Sequence, residues 1–329
     1  MDKKVVELST SLIVIGQPWS LLTNALAQRT SSDLVPLTVA TFADTETFVS
    51  LENGSRCAGK HVILVYQFMH FDQHKEAFVC NGINDQLLGV LQAIDLLHQM
   101  KASSIDVVMP YFPYARQEIS VDKNYQGAVF MLGRCYKALG VRTVIACDVH
   151  APIIQRSFPV AINHIQLTEF WFRVVRDHIL QGQPSDQLCV ASPDAGGHDR
   201  AQALAALLNV PCVMVNKKRI ANDQAVSYEL TGDVNHKRVI ILDDIIDTAH
   251  TALGACDLLL EHGARAIYGC FTHAIFSQGA GERLDHSNFE KIFVSDSIFG
   301  LDAEQYKKIQ IVSLHDYLAK ILEPLLRGL

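Results

Sequence analysis

Asp243 and Asp244 stand side by side at the end of an apolar run, and Asp247, Thr248, Ala249, His250 and Thr251 follow directly. Paired carboxylates can accept hydrogen bonds from the hydroxyls of a ribose, or share a cation between them. The amides and hydroxyls of a turn that opens a helix can wrap a phosphate monoester. The same residues also spell an ordinary strand, turn and helix with an acidic cap, and the stretch alone supports both readings. Other segments repeat the arrangement of polar groups straight after apolar ones: Arg116 and Gln117 in the stretch Met109 to Gln117, His150 in Asp148 to His150, and Asp194 in Ser192 to Gly197. Each has a plain alternative, a core histidine for His150 and a turn aspartate for Asp194. The basic run Asn216 to Arg219, with Lys217 and Arg219, could concentrate positive charge or form a solvated face.

Such chemistry needs elements that deliver it rigidly. Val239 to Leu242 is too short and too β-branched for a helix, whereas Thr251 to Glu261 carries apolar residues at Leu253, Cys256 and Leu260 before Gly263 stops it. The acids are therefore expected between a strand and a helix, where an open α/β sheet binds its ligands. Further short strands are expected at Leu12 to Ile15, Val62 to Tyr66, Ile105 to Met109, Thr143 to Cys147, Cys189 to Ala191, Cys212 to Val215, Tyr268 to Thr272 and Ile292 to Val294. Alternation with helical periods argues for parallel or mixed sheets covered by helices. A chain of 329 residues suffices for about two domains. The seam is placed between residues 160 and 170, giving domains 1–165 and 166–329, with Phe68, Met69, His70, Phe71 and His74 in an irregular surface insertion over residues 68–83.

Composition narrows the function classes. Nearly half the residues are apolar and the net charge is −7, so no basic field for nucleic acid is present. The eight cysteines include no Cys-x-x-Cys pair and read as reduced residues of a cytoplasmic protein. No secretory leader or run of 18 apolar residues is present, so no membrane partner is expected.

Taken together these segments resemble one family, the ribose-phosphate diphosphokinases or phosphoribosyl diphosphate synthetases. Residues 239–251 resemble its ribose 5-phosphate signature, shared with the phosphoribosyltransferases. Tyr111 to Gln117, Asp148 to His150, Ser192 to Gly197 and Thr272 to Ser277 match further motifs in the family's order. The resemblance implies an α/β chain of two similar phosphoribosyltransferase-type domains, each a mostly parallel sheet flanked by helices. It implies transfer of the diphosphoryl group of MgATP to the anomeric hydroxyl of ribose 5-phosphate, with AMP released. Mg²⁺ would be held by His150 and Asp194, and Lys217, with Arg219 beside it, would act catalytically from a flexible loop ending near Gly232. ATP would meet Arg116, Gln117 and a loop carrying Asp44, Thr45 and Glu46. Ribose 5-phosphate would meet Asp243, Asp244, Asp247, Thr248, Ala249, His250 and Thr251. Because the family's Asp44-type loop reaches a neighbouring subunit's ATP, a homo-oligomer built on dimers is implied, a hexamer being one form.

The chain departs from the family at three places. His250 stands where glycine is usual; if that position needs a left-handed backbone, it costs roughly 1–3 kcal/mol, and if not, the imidazole could donate to the phosphate. Residues 118–125 lack the usual basic run, so control by phosphate and ADP is expected to be weak or absent. Ser295 to Phe299 lacks the usual proline. Two other readings stay open: a regulatory paralogue of the same fold, and a phosphoribosyltransferase, for which the chain is about one domain too long.

Overall fold

Apolar, β-branched runs alternate with helices, and they assemble as the two halves of a repeated plan. The structure, a computed structural model, describes residues 12–70, 82–117, 127–182, 185–219 and 226–327. Two compact units result. Unit 1 takes residues 1–146, 152–164 and 315–329, and unit 2 takes 147–151 and 165–314.

In unit 1 the strands are β1 (Leu12–Gly16), β2 (Asp33–Thr41), β3 (Thr47–Leu51), β4 (His61–Val65), β5 (Ser104–Val108), β6 (Val141–Cys147) and β7 (Ala161–Ile165), in the sheet order β3-β2-β1-β4-β5-β6-β7. Helices α1 (Leu21–Thr30), α2 (Ile83–Gln99), α3 (Ala128–Ala138) and α4 (Pro152–Ser157) connect them. In unit 2, α5 (Thr168–Val174) leads to β8 (Leu188–Ser192), α6 (His198–Leu208), β9 (Cys212–Arg219), β10 (Val226–Thr231), β11 (Arg238–Ile246), α7 (His250–Glu261), β12 (Ala266–Ala274), α8 (Ala280–Asp285), β13 (Lys291–Ser295) and β14 (Ile309–Val312). Their order is β10-β9-β8-β11-β12-β13-β14, the same plan strand for strand. β2/β3 and β9/β10 pair antiparallel, while β1, β4, β5 and their unit 2 counterparts pair in parallel.

Strands covered on both faces must be apolar without alternation, and Val239, Ile240, Ile241 and Leu242 are all completely buried. From β8 the chain crosses by α6 to β9 on one side, and from β11 by α7 to β12 on the other. The crevice between β8 and β11 is thus a topological switch point, and β1 and β4 form the corresponding one in unit 1.

Several expectations need correction. β11 runs to Ile246, so Asp243 and Asp244 lie within the last turns of the strand rather than after it. The ladder to β12, which continues as far as Ile246 with Ala274, keeps them extended. β2, β3, β7, β10 and β14 had no clear sequence signal, and β9 runs past the expected Cys212 to Val215 as far as Arg219. Phe68 belongs to the core, with its ring against Tyr66 and Tyr111 at centroid distances of 5.3 and 6.0 Å, and is not part of a surface insertion. Phe71 and His74 lie outside the described residues. The last helix, α9 (His315–Arg327), belongs to unit 1, where it packs on α1. A single cut at residue 165 places it in the other half, because its buried Leu318, Leu322 and Leu326 show that it is amphipathic but not which neighbour it covers.

Candidate active site

The switch point of unit 2 gathers charge. Arg200, from the first turn of α6, donates from Nη1 to Asp243 Oδ1 at 3.2 Å and lies 3.5 Å from Asp244 Oδ1. Asp244 Oδ2 accepts from His150 Nδ1 at 2.8 Å. Asp244 is nearly enclosed, with 4% of its side chain exposed, while Asp243 and Arg200 keep 16% and 15%. Two adjacent carboxylates in such a place cannot ionise equally. Burial, followed by the charge of Asp244, pushes Asp243 well above the ordinary carboxylate range. Burial also acts on Asp244, but the His150 hydrogen bond and the Arg200 charge outweigh it and hold that group low. A cation bridging the two acids was one sequence expectation; here the protein supplies it as Arg200.

His150 is delivered by a tightly tied segment. Asp148, at φ 36°, turns the chain, and its Oδ1 accepts from the Leu167 amide at 3.1 Å. Its Oδ2 accepts from Thr272 Oγ1 at 2.6 Å, and Trp171 Nε1 donates to the same hydroxyl at 3.1 Å. Burial pushes His273 down, so the ring is neutral and donates from Nε2 to the Cys147 carbonyl at 3.1 Å. With Asp244 ionised, the hydrogen bond between them requires His150 to carry a proton on Nδ1.

Asp194 lies in the loop from β8 to α6. Its Oδ1 accepts from the amides of Gly196 and Gly197 at 2.9 and 3.1 Å. A Cβ on Gly197 would meet Ser192 Oγ at 2.9 Å and Asp243 Oδ1 at 3.3 Å, so only glycine lets this loop approach the acid pair. Among the described residues no group of three or more His, Cys, Asp or Glu forms a metal cage. Mg²⁺ suits such a place nonetheless, since it takes one or two protein ligands and completes its shell with phosphate oxygens and water.

Downstream of the acids, Asp247 and Thr248 are half-buried and Ala249 is buried. The left-handed residue is Ala249, at φ 65° and ψ −3°. His250 is the first residue of α7 and is exposed, and Thr251 follows it within the helix. The concern that histidine strains the turn is therefore corrected: the unusual backbone belongs to the residue before it.

The remaining sequence candidates are dispersed. Asp44, Thr45 and Glu46 form the tip of the β2/β3 hairpin, with Thr45 at φ 73° and the Glu46 amide donating to Asp44 Oδ1 at 3.2 Å. Phe42 beside them is 56% exposed and stacks on Phe48 at 4.7 Å. Arg116 is exposed and Gln117 half-buried after a turn in which Tyr114, at φ 61°, accepts the Gln117 amide and donates its hydroxyl to Asn84 Oδ1. Both groups belong to unit 1. Lys217 and Arg219 do not start an irregular loop: their backbones pair with Tyr228 and Val226 across the β9/β10 ladder, and residues 220–225 lie outside the described residues. Sequence reasoning missed Arg200, which sits in a helical stretch with no motif residue around it, and gave no role to Asp148, Thr272 and His273.

A model of the N-terminal domain of ribose phosphate pyrophosphokinase matches residues 11–128, and one of the phosphoribosyl synthetase-associated domain matches 184–325. A ribose-phosphate pyrophosphokinase from Oceanobacillus iheyensis is 31% identical over 293 residues, spanning 89% of this chain and 87% of that one. The chain belongs to the ribose-phosphate pyrophosphokinase family. Its class is that of a transferase. Ribose-phosphate pyrophosphokinase 2, chloroplastic, of Oryza sativa is 33% identical over 306 residues, covering 92% of this chain and 71% of its own. In fold, the chain matches the crystal structure of phosphoribosylpyrophosphate synthetase from Mycobacterium smegmatis with a TM-score of 0.82 at 24% identity, over 97% and 99% of the two chains. No helix among the described residues is long and apolar enough to cross a membrane.

Proposed function

We propose that this member of the ribose-phosphate pyrophosphokinase family is catalytically active, moving the β,γ-diphosphoryl group of ATP onto the anomeric hydroxyl of ribose 5-phosphate and releasing AMP. One arrangement carries the reading: a carboxylate pair braced by Arg200 that runs, within a few residues, into a helix-opening turn. Asp243 and Asp244 hold the ribose hydroxyls, and the amides of Asp247 to Thr251 take the 5-phosphate. Anchoring a sugar at both ends fixes its anomeric oxygen for in-line attack, and this kind of positioning is most of what phosphoryl transfer asks of a protein.

Arg116 and Gln117 hold the nucleotide, arginine being suited to stack on a base or to fork onto phosphate. Lys217 and Arg219 neutralise charge that builds between the two substrates, a role whose loss costs about 3–4 kcal/mol elsewhere. His150 and Asp194 would hold Mg²⁺, which would supply polarisation of the phosphate oxygens of ATP. The exposed Asp44 to Glu46 tip is the part of unit 1 suited to reach a second copy of the chain, which supports a homo-oligomer.

The regulatory-paralogue reading rested on His250 and on the missing basic run. With the left-handed backbone on Ala249, the first of these motives disappears. Purified protein given Mg²⁺ and ATP should release AMP only when ribose 5-phosphate is added. ATP binding with no AMP under any ribose 5-phosphate concentration would instead favour the paralogue.

A further inference from the structure

Arg283, in α8, lies outside every motif considered above. Its Nη2 donates to the Thr248 carbonyl at 2.9 Å and its Nη1 to the Gln278 carbonyl at 2.6 Å. Its Nε is buried with no hydrogen-bond partner. The segment that presents it is closely tied: the Ile275 and Phe276 amides donate to the Ile246 carbonyl at 2.9 and 3.3 Å, and Phe276, Gln278 and Gly279 all have left-handed backbones. A guanidinium is thus fixed against a carbonyl in the middle of the 247–251 turn.

Across a planar trans peptide, the carbonyl and the following amide point in opposite directions. Holding the Thr248 oxygen on Arg283 therefore aims the Ala249 N–H away from α8, and the chain continues from that peptide through the left-handed Ala249. For an alanine that conformation costs about 1–2 kcal/mol. Without a clamp the Thr248–Ala249 peptide would relax, and one of the turn's amides would leave its place.

We infer that Arg283 is the positioning residue that presets the 247–251 turn to bind the phosphate of a sugar phosphate. The inference rests on the reading of that turn as the 5-phosphate site. Arg283 acts through the backbone and touches no reacting atom. Its fixed positive charge behind the turn also favours a dianion over a neutral sugar.

The test is the binding of ribose 5-phosphate, followed by calorimetry so that no turnover is needed, together with steady-state rates. Arg283→Ala should weaken ribose 5-phosphate about tenfold, the range expected for losing a charge-assisted hydrogen bond. Its KM should rise in step, with kcat and the KM for ATP moved less than about twofold, since the clamp sets ground-state geometry. Combining it with Ala249→Gly should recover part of the loss, because glycine holds the left-handed turn without strain. Arg283→Lys, which can hold one carbonyl but not fork to two, should fall between. Equal affinities in wild type and Arg283→Ala, or a loss that appears only as a lower melting temperature, would overturn the inference while leaving the proposed reaction standing. Wild-type protein that binds ribose 5-phosphate without forming AMP would remove the reaction and still decide the clamp. Wild-type protein that does not bind the sugar phosphate would remove both.

Discussion

The two units share one strand order and spend their switch points differently. Between β8 and β11, Asp194, Asp243, Asp244 and Arg200 leave a charged crevice. Between β1 and β4, the corresponding residues close on themselves: Gln17 Nε2 donates to the Gln67 carbonyl at 3.2 Å, the Gln67 amide donates to Gln17 Oε1 at 3.2 Å, and Ser20 Oγ donates to Gln67 Oε1 at 3.0 Å. All three side chains are buried, and a Cβ on Gly16 would meet the Val65 carbonyl at 2.7 Å. A neutral, self-satisfied network has nothing to offer a phosphate. The fold supplies two crevices, and side-chain chemistry makes one of them a site.

Five substitutions would sharpen or break this contrast. The largest effect is expected at Arg200. Arg200→Ala should lower kcat/KM for ribose 5-phosphate by about 3 kcal/mol, since it leaves two buried carboxylates facing each other. Arg200 now opposes the upward push on Asp243, so its loss should move the acid limb of the rate profile to higher pH. An unchanged limb in steady-state rates from acid to neutral pH would contradict the assignment. In unit 1 the corresponding charge is structural. Asp106, fully buried, receives Arg142 Nε at 2.9 Å and pairs with His61 Nε2 at 2.8 Å. Burial pushes its carboxyl up, but these hydrogen bonds and charges win and hold it below the usual range. A depressed carboxylate contributes stability that is present above its unfolded value, near 3.9, and is lost as pH falls through the folded one. Asp106→Asn should therefore destabilise the protein by about 3 kcal/mol at neutral pH. In thermal melts that deficit should shrink below about pH 4, with activity per folded molecule retained.

Smaller effects separate the crevices themselves. Gln67→Ala should cost about 1–3 kcal/mol in denaturant titrations by orphaning the buried groups of Gln17 and Ser20, and leave the ribose 5-phosphate KM unmoved. The smallest is expected at the 247–251 turn: Ala249→Gly should stabilise by at most about 1 kcal/mol, whereas His250→Gly should give no such gain, because His250 is already helical.

The sequence made the charged crevice legible and the neutral one invisible. Motif residues advertise a ligand, so Asp243, Asp244, Asp194 and His150 could be placed at strand ends from their neighbours alone. Gln17, Ser20 and Gln67 look like loop residues until the sheet order sets Gly16 beside Val65. Strands escaped notice for local reasons. β2 contains Pro36, which normally argues against a strand interior, yet here its ladder to β1 ends at Pro36 and its ladder to β3 begins at Leu37. The β9/β10 hairpin was obscured by Lys217, Lys218 and Arg219, whose charge suggested a loop. Arg200 and Arg283 could not be foreseen, because an arginine's partner is a matter of tertiary distance.

The return of α9 to unit 1 sets an order on the chain's own assembly. Leu22 and Leu26 of α1 are buried, and α9 lies on that helix with Glu323 3.6 Å from Arg29. On the ribosome, then, the earlier half waits for the later one: unit 2 has all its strands once residue 314 has emerged, while α1 keeps an uncovered flank until residues 315–327 follow. A chain halted just short of that helix would carry every strand of unit 2 together with an α1 whose apolar flank is still exposed, the kind of surface that invites association during synthesis.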